Sequence, residues 1–87
     1  MAEYVVVLRP FEGENEDLGE YATPIAALAA IRQALVRVAP GGSEVDVGVI
    51  FGPDDAAVSV AFDPELQRLA AERGVSLCVS IYPVGEF

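Results

Sequence analysis

Three features of this chain predict a single α+β domain over residues 1–87, ordered β-α-β-β-α-β. Four short segments are either continuous runs of β-branched residues or strict apolar/polar alternations. Two proline-initiated segments carry apolar residues at helical spacing. Glycine- and proline-containing turns separate them. A chain of 87 residues suffices for one domain but not two, and buries about 60–70% of its unfolded surface.

The first strand is expected at Glu3–Leu8, where Tyr4-Val5-Val6-Val7-Leu8 is too short for a helix and rich in β-branched residues. Arg9-Pro10 ends it. Phe11 to Ala22 holds two glycines and no apolar period, and is expected to be a long loop. Thr23-Pro24 starts a helix, with a hydroxyl to cap and a proline at the first helical position. Leu28, Ile31, Leu35 and Val38 recur on one stripe, and Ala39-Pro40-Gly41-Gly42 stops the helix.

Val45, Val47, Val49 and Phe51 alternate with Asp46, Gly48 and Ile50, the mark of a strand with one face in the core. After the turn Gly52-Pro53-Asp54-Asp55, Val58, Val60 and Phe62 alternate with Ala57, Ser59 and Ala61, so the two segments read as a hairpin. Asp63-Pro64-Glu65 repeats the cap-then-proline start of a short helix carrying Leu66, Leu69 and Ala70, which Gly74 closes. Val75, Leu77, Val79 and Ile81 alternate with Ser76, Cys78, Ser80 and Tyr82 to give the last strand, ended by Pro83. This order is the ferredoxin-like split βαβ pattern: a four-stranded antiparallel sheet in the order 4-1-3-2 with both helices on one face.

Fourteen acids stand against five basic residues, all arginine, for a formal net charge of -9 with no histidine. Direct nucleic-acid binding is disfavoured by that charge, and a basic protein surface is the favoured partner. In the expected topology the loop after strand one and the hairpin after strand two leave the same end of the sheet. Glu12, Glu14, Glu16, Asp17, Glu20, Asp54 and Asp55 would then form one acidic pole. Such a pole suits docking on an Arg- and Lys-rich site, where it steers encounter and fixes register. The same acids would also serve as plain solvating loop residues ahead of a positive helix N-terminus. A calcium loop fits poorly. Counting from Glu12, the sixth and twelfth positions hold Asp17 and Thr23, where an EF-hand wants glycine and glutamate.

The second candidate surface is the sheet face opposite the helices, expected to carry Gly48, Ile50, Ala57, Ser59, Ala61, Ser76, Cys78, Ser80 and Tyr82. These side chains are mostly small and would let a second subunit approach closely. Cys78 is the lone cysteine and lies within a strand, where it reads as a small buried hydrophobe. Strand three offers no aromatics for stacking on RNA bases, and the first loop has no cysteine pair for a soft metal. Gly13 and Gly19 are a weak sign of a regulatory amino-acid-binding loop. Without histidine no Ser-His or Cys-His pair exists, and no enzymatic activity is expected.

The longest apolar run, Ile25–Ile31, falls short of the roughly 20 residues of a membrane span. With no basic residue ahead of an apolar stretch at Met1-Ala2-Glu3-Tyr4, a cytoplasmic location is expected. The function expected from all this is a small acidic binding or inhibitor protein without cofactor or metal. It would occupy a basic site on another protein, such as a nucleic-acid-handling enzyme whose phosphate subsites its carboxylates mimic, in the manner of nuclease inhibitors, immunity proteins or phage anti-defence proteins. The alternative is a homodimer, formed through the small-residue sheet face, that binds a small ligand or serves a regulatory or structural role.

Overall fold

A computed structural model describes residues 2–38, 41–55 and 58–85. Its elements are β1 (Glu3–Arg9), β2 (Glu16–Tyr21), α1 (Pro24–Arg37), β3 (Glu44–Phe51), α2 (Pro64–Glu72) and β4 (Ser76–Pro83). They form an α+β fold with one four-stranded mixed sheet in the order β2-β1-β3-β4. β1 is antiparallel to both β2 and β3, and β3 is parallel to β4.

Two expectations are corrected. The chain order is β-β-α-β-α-β, so the antiparallel 4-1-3-2 ferredoxin-like arrangement is not the one found. The segment expected to be a long loop contains β2, which folds back on β1 through a turn where Gly13 takes a φ of 104°. The register shifts between Val6 and Val7, which face Gly19 and Asp17, so Leu18 is an extra, bulged residue. Leu18 and Tyr21 pack against the core, and the Tyr21 hydroxyl donates to the Leu18 carbonyl. Inward residues three apart instead of two leave no alternating signal to read.

The second correction concerns residues 58–62, which join no ladder. Val58, Val60 and Phe62 still pack against the core while Ser59 and Ala61 are exposed, so the alternation describes burial without pairing. β3 has only two edges. β1 takes one, and the eight-residue β4 pairs with the other along its whole length, from Glu44↔Ser76 to Phe51↔Pro83. The five-residue segment offers a shorter ladder and becomes the extended crossover into α2.

Both helices begin as their sequences dictate. The Thr23 hydroxyl accepts from the Ala26 N–H at 3.2 Å, and the Asp63 carboxylate from the Leu66 N–H at 2.8 Å, each with proline at the first turn. α2 ends in a Schellman motif: Gly74, at φ 65°, donates to Ala71 O at 3.1 Å, and Val75 to Ala70 O at 2.9 Å. One core joins Tyr4, Val6 and Leu8 of β1, Val45, Val47 and Val49 of β3, Ala27, Ile31 and Leu35 of α1, and Leu66 and Ala70 of α2. Both helices therefore lie on one face, and the other is left open. Among the described residues no helix is long and apolar enough to cross a membrane.

Candidate functional site

Strand directions decide where the acids go. β1 runs from Glu3 to Arg9, so the β1–β2 turn carrying Glu12 and Glu14 sits at the Arg9 end of the sheet. β3 runs the opposite way, with Glu44 beside Arg9 and Ile50 beside Glu3, so the turn holding Asp54 and Asp55 leaves from the other end. The seven acids thus form no single pole. An antiparallel β1–β3 pair, in place of a parallel crossover, separates the two turns by the length of the strands.

Individual roles differ as well. Glu16 faces the helix side and pairs with Arg37 near the end of α1. Asp55 structures its own turn, its carboxylate accepting from the Gly52 N–H at 2.8 Å. Asp17 and Glu20 lie opposite Val7 and Val5, so they share the open face of edge strand β2, and Asp17 also accepts from the Gly19 N–H at 2.8 Å. Glu12, Glu14, Asp17 and Glu20 are exposed. Together they make an acidic border from the hairpin tip down one side of the sheet. Its lower end carries an open hollow of about 220 Å³ lined by Glu3, Glu20, Tyr21 and Ala22, smaller than the roughly 300 Å³ at which small-molecule pockets begin.

Gly48, Ile50, Ser76, Cys78, Ser80 and Tyr82 do share the open face, through the register Gly48↔Ser80 and Ile50↔Tyr82. Ser59 and Ala61 belong to the crossover and not to the sheet. Ala57 lies outside the described residues. The face is less plain than a row of small side chains. Arg9 Nη1 donates to Glu44 Oε2 at 2.9 Å, and Arg9 Nη2 lies 3.6 Å from Asp46 Oδ2. Ser80 Oγ donates to Asp46 Oδ1 at 2.7 Å, and Cys78 Sγ to Glu44 Oε1 at 3.0 Å. Asp46 is only 3% exposed. The Tyr82 ring lies over Gly48, where an added Cβ would come within 3.0 Å of it.

This network joins three strands, and its charged members, Arg9, Glu44 and Asp46, were not among the sequence-derived candidates. The signal that could have found them is Asp46 itself. A carboxylate set among the three valines of a central strand is expected to be buried, and a buried carboxylate needs donors. The nearest arginine able to supply them ends β1.

The network also sets the character of Cys78. The hydrogen bond to the Glu44 carboxylate, then burial, push its thiol above the usual range. Alkylation by iodoacetamide near pH 8 should be slower than for an exposed cysteine peptide, and Glu44→Gln should accelerate it. An unchanged rate in Glu44→Gln would show that the carboxylate does not govern the thiol. Among the described residues, no three His, Cys, Asp or Glu side chains lie close enough together to hold a metal. The chain matches no protein-family model, no curated protein and no solved structure.

Proposed function

We propose that this chain is an acidic protein-binding module that docks the β2 border, Glu12, Glu14, Asp17 and Glu20, onto a basic surface of another protein. The observation that carries this reading is how the arginines are used. Arg9, Arg32 and Arg37 are engaged by Glu44 and Asp46, by Asp63 and by Glu16. No arginine among the described residues pairs with the four border acids. The negative field along β2 is therefore not neutralised internally, and like-signed exposed side chains repel one another until a cationic partner arrives.

An edge strand is also an economical place for such a site, because its charges discourage strand-to-strand aggregation while they steer a partner. A nucleic-acid-handling enzyme is a fitting partner class, since its phosphate-binding cations would accept a row of carboxylates. The test is affinity capture of a partner with identification by mass spectrometry, then titration of the purified pair across a salt series. Converting Glu12, Glu14 and Glu20 to Gln and Asp17 to Asn should weaken binding at least tenfold and flatten the salt dependence. Asp54→Asn should change it little. Equal binding by the border variant and the wild type would defeat the proposal.

A further inference from the structure

The sheet leaves two strands with a free edge, and they differ sharply. β2 is guarded by Glu16, Asp17, Glu20 and a bulge, the usual devices that keep edges from pairing. β4 has neither charge nor bulge, and of these devices carries only the terminal Pro83. Ser76–Pro83 contains no charged residue, its register with β3 is unbroken, and Val79 and Ile81 are 42% and 56% exposed.

We propose that the free edge of β4 pairs antiparallel with the same edge of a second copy of this chain, about a twofold axis at Val79, joining the two sheets into one. The backbone supports this register. Ser76 N donates to Ser43 O and Val84 N to Phe51 O, so the even-numbered N–H groups of this stretch face β3. In a parallel ladder the intervening residues turn their groups the other way, which leaves the N–H and C=O of Leu77, Val79 and Ile81 directed outward. Pro83 has no N–H to offer and ends the available row. Pairing about Val79 sets Val79 against its own copy and Leu77 against Ile81 of the other chain, so every outward donor finds an acceptor, in about six hydrogen bonds.

Side chains fit the same axis. Leu77-Cys78-Val79-Ser80-Ile81 reads nearly alike in both directions, so the apolar residues Leu77 and Ile81 meet on the helix side and the small residues Cys78 and Ser80 meet on the open side. Charge points to a second copy as well. The edge strand is itself free of charge. For a chain of net charge -9, such an edge is the surface on which a second copy meets least repulsion.

Sedimentation equilibrium of the full chain tests this, with Val79→Pro as the variant. That change removes one outward N–H and no bond to β3, which edge strands tolerate. The wild type should sediment at twice 9.2 kDa at high micromolar concentration, and Val79→Pro at the monomer mass with an unchanged circular dichroism spectrum. If Val79→Pro does not fold, register is read instead from Val79→Cys in a Cys78→Ser background. Directly opposed residues of a hydrogen-bonded pair lie about 5.5 Å apart, within disulfide reach, so this variant should cross-link on mild oxidation, whereas Val36→Cys on the exposed side of α1 should not. A monomeric wild type, a dimer that survives Val79→Pro, or cross-linking no greater than that of Val36→Cys would each overturn the proposal. Because β2 and β4 are opposite edges, neutralising the β2 acids should leave the mass unchanged, which separates this test from that of partner binding.

Discussion

Replacing Leu66 with Ala is expected to cost about 3 kcal/mol and to lower the thermal midpoint by about 12–24 °C, a large share of the stability of so small a domain. α2 is nine residues long and buries only Leu66 and Ala70, with Leu66 fully inside the core. A helix this short has little intrinsic stability and holds its place by packing. It packs on β4 and α1 and follows directly on the segment of Val58, Val60 and Phe62, so loosening it also loosens these residues from the core they cover. Ile25→Ala is the matched control: Ile25 is 80% exposed and its loss should change stability by about 0.5 kcal/mol or less. Urea unfolding followed by circular dichroism measures both. A Leu66→Ala cost below about 1 kcal/mol would mean that α2 does not anchor the crossover.

Both helices could be read from the sequence almost to the residue, because their signals are local. Thr23-Pro24, Asp63-Pro64 and Gly74 act through the chain immediately around them, and the caps are made as those residues demand. Strand identity was legible in part, and strand pairing was not. β2 was hidden because a bulge at Leu18 and a glycine at 19 break the period of two, and because Glu16, Asp17 and Glu20 give it a loop-like composition. Residues 58–62 showed the opposite error. Their alternation is real, but it records packing against a core, and whether a neighbouring backbone is present to complete a ladder is a matter of tertiary competition. Missing the strand at Glu16–Tyr21 and adding one at 58–62 thus kept the count at four while changing the order.

The same error moved the acids. Glu12 and Glu14 could be joined to Asp54 and Asp55 only if the first two strands of the expected fold ran parallel, and the hidden strand reversed that relation. The open face was recovered for β3 and β4, where Gly48, Ile50, Ser76, Cys78, Ser80 and Tyr82 lie as their alternation implies. Its polar network was not recovered. A run of five apolar residues in β1 reads as buried on both sides, and so conceals that Val5 and Val7 face outward, in line with Arg9.

That network should make Asp46 the most sensitive polar position in the chain, with Asp46→Ala costing about 2 kcal/mol. Its carboxylate is buried beside β4 and accepts the Ser80 hydroxyl, which would lose its protein partner. Ser80→Ala should cost less, and the double variant no more than Asp46→Ala alone, because both remove the same bond. Additive costs in that cycle would show that Asp46 acts through burial and not through Ser80. Acid adds a separate signature through Glu44, whose pKa is held below the usual carboxylate value by the Cys78 thiol first and Arg9 second. A carboxylate lowered in the folded state stabilises it at pH values above its unfolded pKa, and that contribution disappears as pH falls through the folded one. The folded protein should therefore lose stability in the acid range below about pH 4.5, and Glu44→Gln should flatten this part of the profile while leaving the Asp46–Ser80 coupling intact. Thermal unfolding of the wild type and Glu44→Gln across that range, beside the Asp46–Ser80 cycle at neutral pH, distinguishes the two halves of the network.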